Sequence, residues 1–555
     1  MDSSNTVRPR PAPAELAAQW WRNPYPWIVL ALLVLAVLLT VPAPLANDIR
    51  YEAGTHFTSV YPVSQTFSHR PLMHRFITEG LFRPAWLATG GDRVAFEMVV
   101  RVQAIVVSGL AAAALWFGLR SRARRLASPV SAAALGGLLL CSTGIAWEPD
   151  WLAIVLTLAG TGIALLRRPV GPILGGVLLA TASVIKFVSL PIALIGLLAL
   201  LVLDERGPWQ RRRFVVATIS ATVAGITWLV ALAVVWPWEI QWLLDGSQMQ
   251  PRRPLYDHVS LTFELLGNAL IMWPAFALIP ACLVRATRGE KVLVIGSLVL
   301  AWLPVVAQQQ YFPYHLASFP VVASIALVMG LRRGGSWLAQ YALGGAVGAL
   351  VVFTLDPPTR VSLLWPLVGL WVAYAVVGVM VQRRRIHAFP DRATRRLSAL
   401  ATLVGVICLV PISLPWAPWS VTVEPSRQFS TNFSLSENIG LFGAGERIRE
   451  EIGPETPVLY LAFGDQVFAV GNPTFCQFPT NVFVQRGEWE PPVLTTETYA
   501  HNRACLDDPR NEYLVWDKSY LNPDRQPPEV IAQIERNFDC ENAQVHNVLT
   551  LCPRR

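Results

Sequence analysis

Long apolar runs, separated by short polar or basic segments, occupy the first three quarters of the chain. A run of roughly 17–25 residues that folds as a helix crosses a hydrocarbon core of ~30 Å. The pattern therefore predicts an α-helical polytopic membrane protein with about thirteen transmembrane helices. We place them at 26–45, 96–118, 129–147, 151–166, 171–185, 187–203, 214–236, 268–284, 291–308, 316–331, 337–355, 361–381 and 398–415.

Composition and charge agree with this prediction and orient the chain. Hydrophobic residues make up 53% of the sequence and charged residues only 15%. With these spans, every basic cluster falls on the side of the N-terminus, which marks that side as cytoplasmic. We therefore expect a multi-pass protein of the plasma (inner) membrane, with residues 1–25 in the cytoplasm and the C-terminus outside. The run 26–45 is expected to be an uncleaved anchor, and a signal peptide cleaved near 43–46 is the alternative.

Residues 417–555 have a different composition and predict a small extracytoplasmic α/β domain after a transmembrane domain, 26–416. The segment carries 11 Lys+Arg and 19 Asp+Glu, a net charge of −8. Periodicity predicts helices at 440–452 and 531–538 and strands at 457–463 and 545–551. Four cysteines in an extracytoplasmic domain predict two disulfides with three alternative pairings. They are Cys476, Cys505, Cys540 and Cys552.

Charged and aromatic residues collect on the predicted outer side, in segments that are far apart in sequence. Asp48 and Glu52 open a long outer loop, 46–95, where a carboxylate at the membrane boundary is costly unless it has a function. Lys186 closes the fifth span, against the positive-inside bias. The other candidates are His69, Glu148, Asp150, Arg252, Arg253, Tyr256, His258 and His315.

This set suits a reaction between a lipid-phosphate-linked substrate and a polar acceptor. Cations bind phosphate through charge-assisted hydrogen bonds, and a carboxylate removes a proton from an attacking hydroxyl. Ordinary roles remain open for each residue. They are an interfacial belt for the tryptophans, snorkelling for Lys186, a solvated loop for Arg252-Arg253, helix capping for Glu148 and Asp150, and a metal cluster for His56, His69 and His74.

The outer segments resemble the GT-C superfamily of membrane glycosyltransferases, in particular its actinobacterial cell-envelope members. The resemblance covers residues 26–415. It rests on Asp48 after the first helix, the Glu148-Pro149-Asp150 turn and the Ser183-Val184-Ile185-Lys186 segment. His69-Arg70-Pro71-Leu72 is similar to a His-Pro-Pro-Leu-type segment, with Arg70 in place of the first proline. Glu52 follows Asp48 four positions later, whereas many members have adjacent acids.

The resemblance implies an inverting transfer of a sugar, arabinofuranose or mannose, from a polyprenyl-phosphate donor. The acceptor would be a cell-envelope glycan, glycolipid or protein on the extracytoplasmic side. Asp48 is expected to be the general base, with Glu52 as its alternative. We expect the donor phosphate to be held by Lys186, Arg252, Arg253 and His315, and the sugar or acceptor by Glu148, Asp150, His69, Tyr256 and His258.

No cofactor is required if these cations stabilise the phosphate, and Mg²⁺ or Mn²⁺ on Asp48 and Glu52 is the alternative. No nucleic-acid partner is expected. The C-terminal domain is expected either to position the acceptor or to act as a packing lid.

Two other classes of function are compatible with the sequence. A flippase or transporter of an envelope precursor would need charges near the middle of the membrane, where Arg101 is the main candidate. A non-catalytic scaffold for envelope assembly would tolerate replacement of the loop carboxylates and of Lys186.

Overall fold

The computed structural model is a bundle of helices followed by a small α/β domain. It describes residues 23–40, 47–67, 70, 72–140, 146–203, 208–248, 254–272, 274–308, 313–355, 359, 362–384, 392–407, 435–486 and 491–555. The helices before residue 408 are Tyr25–Thr40, Asn47–Thr58, Leu72–Ala88, Arg93–Arg122, Arg124–Leu140, Pro149–Ala164, Gly171–Val184, Leu190–Leu203, Pro208–Val235, Pro237–Ser247, Leu255–Met272, Ile279–Leu283, Arg288–Gln308, Ser318–Thr354, Leu364–Arg384 and Arg392–Ile407.

Several of these helices coincide with the predicted spans. Among the described residues, four helices are long and apolar enough to cross a membrane: Arg93–Arg122, Gln210–Val235, Arg288–Gln308 and Leu364–Arg384. Shorter apolar helices are Tyr25–Leu38, Pro149–Ala164, Gly171–Val184, Leu190–Leu203 and Arg396–Ile407. The architecture is thus helical and apolar as predicted, while the count of thirteen spans stays a prediction.

The predicted span 268–284 is wrong as a single helix. The structure has the helix Leu255–Met272, a 3₁₀ turn at Pro274–Leu278 and a short helix at Ile279–Leu283. Proline lacks the backbone N–H that an α-helix interior needs and crowds the preceding turn. Pro274 and Pro280 therefore explain the interruptions, which hydropathy alone does not register.

Two other predicted spans, 316–331 and 337–355, lie within one assigned helix, Ser318–Thr354. Its two halves nevertheless pack on the same part of the helix Arg392–Ile407. Leu327 lies over Gly405, and Ala346 packs against Val404. Because 19 residues of straight helix would span about 28 Å, the segment must bend back between these contacts. The bend keeps two passes compatible with the structure.

Three basic clusters meet at one end of the bundle, near this bend. Arg332 donates to the carbonyl oxygen of Arg125, and Arg333 donates to that of Arg285 at 3.2 Å. Arg333 also bonds Glu290 at 2.6 Å. Clusters predicted to share one membrane face therefore lie together, as the topology requires.

Close contacts join the last turns of the helices Pro149–Ala164 and Arg93–Arg122. These helices cross at two glycines, where a Cβ on Gly118 would collide with the carbonyl of Gly162. A Cβ on Gly162 would collide with the backbone of Ala114 in the same way. Small residues at such crossings let membrane helices approach closely.

The C-terminal domain is a mixed four-stranded sheet with helices around it. Its strands are β1 (Val458–Leu461), β2 (Tyr513–Asp517), β3 (Gln544–His546) and β4 (Leu549–Pro553), in the order β1-β2-β4-β3. β1 pairs parallel with β2, and β4 pairs antiparallel with β2 and β3. The helices are Leu435–Ile452, Gly464–Val470, Val482–Arg486, Glu497–Ala504 and Pro528–Asn537.

The predicted strand 545–551 is divided into β3 and β4 by a hairpin turn. Asn547 has φ 59°, in the left-handed region that asparagine tolerates better than most residues. The cysteines pair as Cys476–Cys505 and Cys540–Cys552, one of the three alternatives that the sequence left open.

The outer loop and the C-terminal domain are docked through main-chain and side-chain contacts. Thr474 N–H donates to Thr58 O at 2.8 Å, and Val60 N–H donates to Thr474 O at 3.2 Å. The helices Asn47–Thr58 and Gly464–Val470 touch closely, since a Cβ on Gly54 would lie 2.9 Å from Phe468 N. The loop, predicted only as structured, is thus fixed between the bundle and the domain.

Candidate active site

The outer loop buries a cluster of charged residues against the ends of several helices. Glu52, in the helix Asn47–Thr58, is completely buried. Its Oε1 lies 3.9 Å from Arg70 Nε and its Oε2 lies 3.7 Å from His56 Nε2. Burying a carboxylate is costly unless cations or hydrogen bonds compensate for the lost hydration. Glu52 is therefore a carboxylate whose burial is costly, and it lies one helical turn after Asp48.

Asp48 shares the backbone of this helix, but its side chain lies outside the described residues. Residues four apart on a helix lie on the same face. The helical register therefore puts positions 48 and 52 on one side, without specifying the contacts of Asp48.

Arg70 connects Glu52 to the turn before the helix Pro149–Ala164. Its guanidinium donates to Glu148 Oε2 at 3.1 Å, and both residues are buried. Glu148 occupies the N-cap position but forms no side-chain cap hydrogen bond. The carboxylate of Glu148 thus pairs with Arg70 of the outer loop. This contact favours a role in the site over capping of the helix.

Asp150, in the first turn of the same helix, bonds His315. The distance from His315 Nδ1 to Asp150 Oδ2 is 2.7 Å, and both side chains are buried. His315 comes from a 3₁₀ turn at Pro313–Leu316, 165 positions further along the chain. The structure therefore brings together two of the predicted site residues from distant parts of the sequence.

The turn that carries these acids has a strained backbone. Trp147 has φ 72°, an uncommon value for a bulky residue. It is buried, its Nε1 donates to Val100 O at 2.9 Å, and its carbonyl contacts His74 Nε2 at 2.9 Å. Strain of this kind persists where surrounding contacts hold it and clusters at functional sites.

Lys186 lies at a break between two helical segments on the same side. It has an extended backbone, φ −146° and ψ 145°, after the helix Gly171–Val184 and before the turn Phe187–Ser189. Its side chain is half-buried. Its charge contributes to lowering the pKa values of His74 and His315, so it lies within electrostatic reach of both.

The histidines of this cluster are neutral at ordinary pH. Burial, with the positive charge of Arg70 next, lowers the pKa of His74 to about 3. Burial, followed by the charge of Lys186, lowers the pKa of His315 to about 4. Burial likewise holds the pKa of His56 well below its ordinary value. The positive charge of the site therefore comes from Arg70, Arg75 and Lys186, and a neutral His315 adds none.

An apolar cavity of about 410 Å³ opens beside this charged cluster. Its walls come from the helices Gly171–Val184, Leu190–Leu203 and Pro208–Val235. Leu72 and Glu239 also line it. Ser183 and Val184, which line it too, lead directly into Lys186.

Arg75 and Glu239 close the polar side of this cavity. They form a buried ion pair, and Glu239 Oε1 also accepts from the Leu72 N–H at 3.1 Å. This pair joins the outer-loop helix Leu72–Ala88 to the helix Pro237–Ser247. The arrangement provides an apolar groove that ends at buried charges.

The remaining predicted site residues are not joined to the cluster by the described structure. His69, Arg252 and Arg253 lie outside the described residues. Tyr256 and His258 lie in the first turn of the helix Leu255–Met272, where Tyr256 is 80% exposed. No group of three His, Cys, Asp or Glu that would hold a metal is found among the described residues. The metal alternative on Asp48 and Glu52 stays a prediction.

Sequence reasoning did not assign Arg70, His74, Arg75 or Glu239 to the site. Arg70 was seen only as a departure from a proline motif. The available signal was spacing, because Arg70, His74 and Arg75 fall near one helical turn apart. Their partners, 78 and 164 positions away, have no signature in one sequence.

Two solved structures share the described fold over nearly the whole chain. ArnT from Cupriavidus metallidurans in the apo state is 14% identical with a TM-score of 0.51, covering 97% of this chain and 98% of that chain. ArnT from the same organism bound to undecaprenyl phosphate is also 14% identical with a TM-score of 0.51, covering 95% and 97%. The predicted resemblance is confirmed in fold.

The sequence itself carries little of this similarity. It matches no protein-family model, and no curated protein matches it significantly.

Proposed function

We propose that this protein is a membrane glycosyltransferase that moves a sugar from a polyprenyl-phosphate donor to an acceptor on the extracytoplasmic side. The observation that carries the proposal is the apolar groove of about 410 Å³ that ends at a buried charged cluster. A lipid with an anionic head group needs an apolar groove for its chain and cations for its head group, close enough for one molecule to reach both. The fold shared with ArnT, which binds undecaprenyl phosphate in one of its structures, supports the same donor class.

The prenyl chain would lie in this groove. Residues from Thr218 to Leu232 line one wall, a helix rise of about 21 Å. Burying apolar surface there would contribute roughly 25 cal/mol per Å². Ser183 and Val184 line the groove and precede Lys186 by three and two residues, so the head group would lie at the outer boundary.

The phosphate would be held by Lys186, with Arg252 or Arg253 and His315. Cations near a developing negative charge in a water-poor site often provide the largest catalytic contribution. Neutral His315 bonds Asp150 through Nδ1, so its Nε2 would donate to a phosphate only after gaining a proton. Lys186 therefore has the main role, and Asp150 would orient the histidine.

Asp48 would act as general base on the acceptor hydroxyl, giving inversion at the transferred carbon. Glu52 would position this part of the site through Arg70 and His56, and it is the alternative base. Glu148 would support Arg70, while Tyr256, His258 and His69 would contact sugar or acceptor. An arabinofuranosyl or mannosyl group is the proposed cargo, and Mg²⁺ or Mn²⁺ is not required.

Two observations bear on the rival functions. Arg101, the main candidate for a transport charge, pairs with Glu97 at 2.7 Å, and Glu97 pairs with Arg50 at 2.6 Å. This buried set gives Arg101 a structural role at the outer loop. A scaffold would not need a buried acid beside Arg70 and a groove next to it.

The test is transfer of radiolabelled sugar from decaprenyl-phosphate arabinose or mannose in membranes that contain Asp48→Asn. We expect a loss of roughly 10²–10⁴-fold, the usual contribution of a general base. Asp92→Asn is the matched control, because Asp92 is an exposed helix cap in the same loop. Transfer by Asp48→Asn at the wild-type rate would remove Asp48 from the base role. Unchanged transfer in EDTA would support a metal-free reaction.

A further inference from the structure

The short helix Pro237–Ser247 separates two cavities of different character. Glu239 and Leu243, one helical turn apart, line the apolar groove. Trp238, Gln241 and Trp242 line a second cavity. Because successive residues rotate by about 100° around a helix, these two sets lie on opposite faces. One helix therefore borders a lipid-like space and a polar space.

The second cavity lies between the outer loop, this helix and the C-terminal domain. Its volume is about 530 Å³, within the ~300–1,000 Å³ typical of small-molecule sites. The loop contributes Gln65, and the domain contributes Gln477, Glu497, Thr498 and His501. The cavity thus exists only because the C-terminal domain is docked.

Hydrogen bonds hold all three walls in place. Asp245 accepts from the backbone N–H of Thr498 at 3.1 Å and from its hydroxyl at 2.5 Å. Trp238 Nε1 donates to Ser64 O at 3.1 Å. Phe67 N–H donates to Gln477 O at 2.6 Å. A site held in this way loses little entropy when a ligand binds.

The lining favours a neutral ligand with many hydroxyl groups. Three amide side chains, Gln65, Gln241 and Gln477, each offer donors and acceptors. None of the described lining residues is Lys or Arg, and one is the carboxylate of Glu497, so the lining disfavours an anionic ligand. The Trp238 indole is half-buried, which leaves part of an aromatic surface for the apolar face of a sugar ring.

One buried atom indicates that a hydrogen-bond donor belongs in the cavity. Gln477 Oε1 is buried and accepts no hydrogen bond from any described residue. Leaving such an acceptor unsatisfied costs roughly 1–3 kcal/mol. Turning this amide toward the cavity, which Gln477 lines, would let a sugar hydroxyl supply the missing donor.

We propose that this cavity binds the neutral saccharide part of the acceptor. The inference rests on the proposed function and deepens it by assigning the acceptor class and its subsite. Glu239 and Leu243 face the lipid groove, whereas Trp238 and Trp242 face the cavity, so donor and acceptor would approach from different sides of one helix. The C-terminal domain then has a binding role and is more than a packing lid.

The experiment measures binding, separately from transfer. The full chain in lipid nanodiscs is titrated with α-mannotriose and α-arabinofuranotriose, with trigalacturonate as the anionic control, by saturation-transfer-difference NMR. At least one neutral trisaccharide should bind, and trigalacturonate should bind at least tenfold more weakly. Trp238→Ala and Gln477→Ala should each weaken binding at least tenfold, while Trp238→Phe keeps most of it. Trp365→Ala is the matched control, since Trp365 is 60% exposed on another helix.

The outcomes separate this proposal from the proposed function. Lys186→Ala should retain trisaccharide binding while losing donor use. Trisaccharide binding without any transfer would leave the cavity assignment standing and count against the enzyme. The assignment is overturned if neither trisaccharide binds, if trigalacturonate binds equally well, or if Gln477→Ala leaves the affinity unchanged. If Trp238→Ala does not fold, trisaccharide binding by Gln477→Ala decides whether the cavity is the binding site.

Discussion

Two buried charge clusters border the helix Asn47–Thr58, and they are built differently. In the first, both oxygens of Glu97 have close cations, Arg50 at 2.6 Å and Arg101 at 2.7 Å. In the second, Glu52 Oε1 lies 3.9 Å from Arg70 Nε and Oε2 lies 3.7 Å from the neutral ring of His56, while Arg70 pairs with Glu148 at 3.1 Å. The first cluster is a compact tie between two helices. The second joins residues from several distant segments and lies close to an apolar groove.

The two clusters show how structural charges differ from functional ones at the same membrane boundary. Both clusters are equally buried, so burial does not distinguish them. What differs is how many distant segments each cluster joins and what lies beside it. Changes to the first cluster should therefore act on folding, and changes to the second should act on donor use.

The largest expected effect is on stability, from Glu97→Ala. Removing one partner of a buried ion pair leaves unpaired charges, at a cost of roughly 3–5 kcal/mol. We expect a lower Tm and a smaller yield of folded protein, measured by thermal unfolding in detergent. Glu79→Ala, at a half-buried position of the same loop, is the control. An unchanged Tm for Glu97→Ala would mean that the tight cluster is not a structural tie.

Lys186→Ala should act in the opposite way, on donor use and little on stability. A hydrogen bond to a charged group contributes roughly 1.5–3 kcal/mol, so kcat/KM for the lipid donor should fall by about 10- to 150-fold. The acceptor KM should stay close to that of the wild type. Lys291→Ala, in the first turn of Arg288–Gln308, provides the matched control. Equal losses for donor and acceptor would argue against a phosphate role.

Gly464→Ala should loosen the domain that covers both clusters. A Cβ on Gly464 would collide with Tyr51 in the helix Asn47–Thr58. Overpacking of this kind costs roughly 1–3 kcal/mol. Hydrogen exchange should increase at the Thr58–Thr474 contact, whereas Gly440→Ala, which meets no atom nearer than 3.7 Å, should leave it unchanged. Equal exchange in both variants would contradict this packing.

Near neutral pH the smallest expected effect concerns His74, one of the neutral histidines of the second cluster. The pKa of His74 is about 3 in the folded protein, against an ordinary value of 6.5. Between these values the unfolded chain binds the proton and the folded chain does not, so stability falls as pH drops from about 6.5 toward about 3. The slope is at most about 1.4 kcal/mol per pH unit. His74→Gln should flatten the Tm-against-pH curve there, and an unaltered slope would contradict the assignment.

Hydropathy and charge predicted most of the architecture because apolar length and basic loops are local properties. The helices Arg93–Arg122 and Arg288–Gln308 coincide with predicted spans. The bend within Ser318–Thr354 and the breaks at Pro274 and Pro280 depend on packing and backbone chemistry that a hydropathy window averages away. The division of 545–551 into two strands depends on one left-handed asparagine.

The site was harder to predict than the fold. Glu148, Asp150, Lys186 and His315 were named because each is an unusual residue at a predicted membrane boundary. Arg70 and Glu239 were not assigned, because their importance arises from partners 78 and 164 positions away. A single sequence shows which charged residues would be costly to bury. Which of those residues pair with each other is decided by the folded chain.

The most direct measurement is a cryo-EM structure of the full chain in nanodiscs with undecaprenyl phosphate. We predict lipid density in the groove between Gly171–Val184 and Pro208–Val235, with the phosphate beside Lys186 and the Asp150–His315 pair. Phosphate density at the opposite end of the bundle, near Arg332 and Arg333, or no density in the groove at saturating lipid, would contradict it.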